Sequence, residues 1–380
     1  MAERVAARAL LATITLCALA AAARADEIAV FQGEPRRAVV VTAETAVAIT
    51  FEPEAGGAPQ TLPTARVREI VHARSSDAFR VARDAEAAGR FETAASLYLS
   101  AARAIAQAAV PVRALAWERP TGLFRAAECR RAQGRDAEAA ALLDLLLAEL
   151  PTTRFRGDAL DRGARLALAV GDVAGARARL EQLRDDAVRA GLGRRWQLRA
   201  ELLLQQIDEA RDPEAALRSY VAFESRAAEF PDVKNLARLR AGRLRLAGGQ
   251  HERARAFFSD AFAERDRIGG EGGDALEIAA GASNGLALAR LAAPAVRGEE
   301  RRAALEDFLR TVVQYGPRLG RSDLLAEARV GAARVLARSD AAPDRDRARH
   351  LAERCLDEHP ATSWAQAASE LLAHSTAESK

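Results

Sequence analysis

One short frame limits what this chain can fold into. It stands at Gly89-Arg90-Phe91-Glu92-Thr93-Ala94-Ala95-Ser96-Leu97-Tyr98-Leu99-Ser100-Ala101 and recurs, with drift, along most of the 380 residues. Phe79, Val81, Ala82 and Ala85 precede the glycine at helical spacing, and Phe91, Ala94, Tyr98 and Ala101 follow it in the same way. A glycine between two such stretches can take the positive φ that ends a helix, because it has no Cβ to clash. Small residues at Ala82, Ala94 and Ala101 let the two helices approach closely, and Tyr98 fills the space between them. The frame predicts a helical hairpin with Tyr98 in its core.

Three further copies keep a small residue seven before the glycine, a small one five after it and a large one nine after it. They are Gly134 with Ala127, Ala139 and Leu143; Gly171 with Ala164, Ala176 and Leu180; and Gly249 with Gly242, Ala254 and Phe258. A fourth keeps Ala216 and Tyr220 but has Arg211 in place of the glycine, with Pro213 opening its second helix, where proline is well tolerated.

These offsets resemble the tetratricopeptide repeat, a two-helix unit of 34 residues. Here the starts near residues 75, 120, 157, 197 and 235 are 45, 37, 40 and 38 apart, so the array is irregular. The resemblance implies a mainly α fold, a TPR-like α-solenoid of about seven hairpins. Five units fall in 73–268, a Gly-rich linker in 269–273, and further hairpins with a capping helix in 274–374, before a tail at 375–380. In such arrays the first helix of each hairpin lines the concave face. That makes Phe79, Arg83 and Glu86 candidate partner-binding residues, with Phe124, Glu128 and Arg131, Asp161 and Arg165, and Leu239 and Arg243 in later units. A protein or peptide is then the expected partner, since arginine captures carboxylates with a planar, two-pronged fork.

Residues 26–72 follow a different pattern. Short runs rich in β-branched residues (27–31, 38–42, 46–51, 61–63 and 65–71) alternate with turns containing Gly33, Pro35, Gly56, Gly57 and Pro59. Five short strands in so little chain predict a small SH3-like or Sm-like β barrel that caps the first hairpin, and the order looks like modules fused to TPR arrays in some exported bacterial proteins. No basic-aromatic patch of the kind that binds RNA accompanies it.

The first 25 residues read as a secretory signal: Arg4 and Arg8, then an apolar run from Ala9 to Ala23, then Ala23-Arg24-Ala25 as a cleavage site. The expected mature protein is exported, periplasmic or secreted, with no integral membrane segment. Its loss of three Arg and one Glu leaves 53 basic against 52 acidic residues, which gives no reason to expect a nucleic acid partner. Two cysteines remain, Cys129 and Cys355, in distant units, and are expected as buried small hydrophobes rather than a disulfide. None of the five histidines pairs with another His or Cys at metal-ligand spacing, and no nucleophile elbow or CxxC is present. The chain is expected to bind rather than catalyse, with no cofactor. Cell-envelope assembly or glycan handling is the alternative setting.

Overall fold

The structure, a computed structural model, describes residues 25–31, 37–54, 56–108, 115–268, 273–293, 296, 298–360 and 362–377. The expected signal, up to residue 24, the linker at 269–272 and the last three residues of the expected tail lie outside the described residues.

Strands β1 (Asp26–Val30), β2 (Arg37–Glu44), β3 (Ala48–Pro53), β4 (Gln60–Pro63) and β5 (Val67–Val71) form one antiparallel sheet in the order β4-β3-β2-β1-β5. Alternation sends Ile28, Val39, Ile49, Phe51 and Ile70 into one buried cluster. The SH3- or Sm-like barrel expected from the sequence is not closed, because β4 and β5 are the two edges and do not pair with each other. Register slips between Ala29 and Val30 and between Val41 and Ala43 bend the strands. The helices supply burial that closure would otherwise provide. Ala46 and Ala65 pack with Leu160, Leu183, Leu192 and Trp196, and the Ala46 amide donates to the Thr152 carbonyl at 2.8 Å.

The helices follow as α1 (Asp77–Ala87), α2 (Phe91–Gln107), α3 (Glu118–Ala132), α4 (Asp136–Glu149), α5 (Arg156–Ala169), α6 (Val173–Arg189), α7 (Arg194–Asp208) and α8 (Pro213–Arg226). Then come α9 (Pro231–Ala247), α10 (His251–Ala263), the short α11 (Arg265–Ile268), α12 (Gly273–Leu291), α13 (Gly298–Leu309) with a π-helical turn at Arg310–Tyr315, α14 (Gly316–Leu319), α15 (Asp323–Leu336), α16 (Ala342–Glu358) and α17 (Ser363–Ala377). Each of α1 to α10 packs against its neighbours in sequence, which is the arrangement of a helical-hairpin solenoid.

The recurring frame does the same physical work in each hairpin. Gly89, Gly134, Gly171 and Gly249 have φ of 71°, 73°, 81° and 72°. Tyr98, Leu143, Leu180 and Phe258 are all buried, as are the small residues flanking the turns. Phe258 shows why smallness is required: a Cβ on Gly242 of α9 or on Gly285 of α12 would come within 2.7 or 2.4 Å of its ring. In the hairpin without a turn glycine, the Asp212 side chain accepts from the Ala215 amide at 2.9 Å, and Pro213 starts α8. Cys129 and Cys355 are buried free thiols. At the end of the array α17 closes the core, burying Ala368 against Ala326, Val330 and Cys355.

The array also curls until distant units touch. The Arg321 amide donates to the Ala132 carbonyl at the end of α3, at 2.8 Å. Gly320, at φ 61°, lies so close that a Cβ there would sit 2.2 Å from the same oxygen. Asp274 and Glu277 of α12 reach Arg162 and Arg165 of α5, at 3.0 and 2.7 Å respectively. No helix among the described residues is long and apolar enough to cross a membrane.

Candidate functional site

The curled array and the docked sheet enclose a cavity of about 260 Å³. Val67 to Val71 of β5 and the following His72 border it, while α1 and α3 contribute Phe79, Arg83, Thr121, Phe124, Arg125 and Glu128. Asp158 and Arg162 of α5, Arg195 and Trp196 of α7, Asp232 of α9 and Asp274 of α12 complete the far wall. The first helices of several hairpins thus converge on one space beneath the sheet.

A buried hinge sets the joint between sheet and array. Glu118, fully buried at the start of α3, accepts from the Ser76 amide and, at 2.8 Å, from its hydroxyl. Ser76 in turn caps α1. Next to it His72 stacks on Trp117 with ring centres 4.0 Å apart, and its Nε2 lies 3.0 Å from Glu44. Burial works against charge on His72, but the neighbouring carboxylates of Asp26 and Glu44 outweigh it and raise its pKa above the ordinary 6.5.

The far wall is ionic. Arg199 is 1% exposed and holds Asp161 at 2.9 Å and Asp274 at 3.0 Å. Arg195 holds Asp232 at 2.8 Å, and Arg131 reaches Glu277 at 3.4 Å. Burial favours a neutral Asp274, yet Arg199, Arg162 and Arg195 win and hold its carboxyl far below the usual carboxylate range. Removing one member of such a network leaves a buried charge without a partner, which is costlier than never having built it.

Not every polar group is matched. Arg68 Nε, Thr121 Oγ1 and Asp232 Oδ1 are shut off from solvent without a hydrogen-bond partner among the described residues. The guanidinia of Arg68 and of exposed Arg83 make no ion pair there either. Asp158 stands partly buried beside the cavity; burial pushes its pKa up to about 6, with Arg195 opposing and Asp274 adding to the rise. Orphaned buried polar atoms are rare in folded proteins, and those beside a space are satisfied by a water or by a polar ligand that enters it.

The candidate residues divide four ways. Phe79, Arg83, Phe124 and Glu128 border the cavity. Phe79 is 2% exposed and edge-on to Tyr98 and Trp117, Phe124 stacks on Phe155, and Glu128 pairs with Arg131 at 3.3 Å. Glu86 accepts from the Tyr98 hydroxyl at 2.7 Å and lies 3.5 Å from Arg125. Arg131, Asp161 and Arg165 belong to the ionic wall facing α12. Leu239 packs on Gly281 of α12, and Arg243 clasps both oxygens of Glu327 of α15 at 2.6 Å, away from the cavity. Along units two to five, the chain's own α12 and α15 occupy most of the face that the sequence reading left open.

Sequence reasoning missed Thr121 and Asp158, although each lies thirteen residues before its turn glycine. They sit one helical turn upstream of Phe124 and Asp161, on the same face. Nothing in the sequence pointed to Arg68, whose place depends on how the sheet docks. Among the described residues no group of three or more His, Cys, Asp or Glu is arranged to hold a metal ion.

No family model matches the chain. No curated protein matches it either. Among solved structures, a tetratricopeptide repeat protein from Parabacteroides merdae is similar at 15% identity and a TM-score of 0.41, covering 78% of this chain and 96% of that one.

Proposed function

We propose that this chain is a non-catalytic scaffold, exported from the cytoplasm, that takes a protein or peptide segment into the cavity between its sheet and its first helices. One observation carries the reading: a cavity lined by residues with buried polar atoms that lack partners, and by two arginines that lack counterions, among the described residues. Residues lining the cavity carry both kinds of unpartnered group, donors on Arg68 and Thr121 and an acceptor on Asp232, and a ligand with N–H and C=O groups that turns these side chains toward itself satisfies both. The aromatic rings argue for peptide over glycan. His72 and Trp117 cover each other, as do Phe124 and Phe155, and the Arg195 guanidinium lies over Phe31 and Trp196. Few ring faces remain for a sugar to stack on.

The test is selection of a random displayed-peptide library on the purified protein. Enriched peptides should bind, and Arg83→Glu, at an exposed position with no partner to lose, should weaken them about tenfold or more. Failure to enrich any peptide, or indifference to that substitution, would refute the reading. Export is tested separately, by the mass of the protein expressed in a bacterial host. A mature chain beginning at Asp26 is expected, and an intact Met1–Ala25 segment would count against it.

A further inference from the structure

We propose that the outer edge of β5 is a strand-addition site. An extended peptide with acidic residues between β-branched ones pairs its backbone along Val67–Val71 and places a carboxylate between Arg68 and Arg83. This rests on the peptide-binding reading above and specifies how the peptide is held.

Three observations carry it. The first is the geometry of β5. Its side chains alternate between faces, so a cavity touching one face would meet every second residue. All of Val67 to Val71 border the cavity, so the space runs along the strand's edge. The inner edge is taken by β1, and no strand among the described residues pairs with the outer one.

The second is the contrast with the opposite edge. β4 ends on Pro63 and is mostly exposed, and proline cannot donate to an added strand. β5 carries no proline. A protein that guards one edge and leaves the other open beside a cavity has an edge suited to addition by a separate segment.

The third is charge. Arg125, Arg154, Arg162 and Arg195 around the cavity are each paired with a carboxylate within 3.6 Å. Arg68 and Arg83 are not. The uncompensated positive charge at the cavity therefore lies on β5 and on α1, and Asp158, which no ion pair compensates among the described residues, is the opposing carboxylate. Asp158 on the far wall repels a ligand carboxylate less when protonated, so acidic peptides bind better below pH 6 than above it.

The probe is a labelled, end-blocked pentapeptide, Val-Glu-Val-Glu-Val, with two forms N-methylated at alternate residues in the two possible phases. A strand added to an edge turns alternate N–H groups toward it. One methylated form should therefore lose about tenfold or more in affinity while the other binds like the parent. Amide exchange at residues 67–71 should slow when the parent peptide is added, a readout that needs no variant to fold. Replacing both glutamates by lysine should abolish binding. If the two methylated forms behave alike, or exchange at 67–71 does not change, strand addition is overturned, while peptides enriched in the library selection would still sustain the cavity reading. If the parent peptide does not bind at all, the proposal also fails.

Discussion

Asp158 is a carboxylate held in a place that does not suit its charge. Its ordinary pKa of 3.8 is pushed up to about 6, chiefly by burial. The folded state therefore holds the proton more tightly than the unfolded chain does, and stability falls as pH rises through this window. The penalty is absent below about pH 3.8, grows to pH 6 and is complete above it. Asp158→Asn should then stabilise the protein at pH 8 by roughly 1–2 kcal/mol, a figure reduced for the side of the carboxyl that faces the cavity. Denaturant unfolding of both proteins at pH 4 and pH 8 tests this. A gain of the same size at both values would show that the cost does not come from ionisation. Ill-suited charge at a cavity wall is a feature of sites that meet ligands.

At the level of elements, the question is what fastens the sheet to the helices. His72 leaves the end of β5, stacks on Trp117 just before α3 and contacts Asp26 and Glu44 of the sheet. Its raised pKa means that the protonated ring belongs to the folded state. That contribution is fully present below pH 6.5 and is lost as pH rises through the raised folded value. His72→Gln should therefore cost more at pH 6 than at pH 9, by about 1–2 kcal/mol for the ionic contacts to Asp26 and Glu44 that only the acid form makes. Loss of ring stacking adds the same amount at both pH values and drops out of the difference. Equal destabilisation at pH 6 and pH 9 would remove His72 as the pH-dependent fastener. Much of this scale was legible in the sequence. The turn glycines, the small residues and Tyr98 sit where the frame puts them, because each lies within one hairpin whose period of 3.6 fixes its neighbours. The closed barrel was not, because strand propensity counts strands without saying whether the last two meet.

For the whole molecule the decisive event is the meeting of the Gly316–Arg321 segment with the first hairpins. Gly320 makes it possible: any side chain there would be driven into the Ala132 backbone, and φ 61° with ψ −140° is strained for every other residue. Gly320→Ala should lower stability by about 1–3 kcal/mol and loosen the curl. Thermal unfolding reads the first effect and the radius of gyration in solution reads the second. A variant with unchanged stability and dimensions would mean that this contact does not hold the array in its curled form. Because the cavity exists only while the array is curled, the same variant should weaken peptide binding without touching a residue that borders the cavity.

The sequence by itself determined the hairpins, their turns and the residues that fill their cores, since all of these follow from spacings within some thirty residues. Which helices line the concave face was implied only by the resemblance to the tetratricopeptide repeat. The sequence did not determine what the inward faces would meet. Small rotations between successive units add up along the solenoid, and their sum decides whether distant units touch. Here they bring Asp274 and Glu277 to Arg162 and Arg165, so most candidate residues of the later units face partners within the chain. The same sum, with the docking of the sheet, leaves Arg68 and Arg83 beside one cavity without counterions among the described residues. Only the tertiary structure joined a strand edge and a helix face, far apart in their local patterns, into one site.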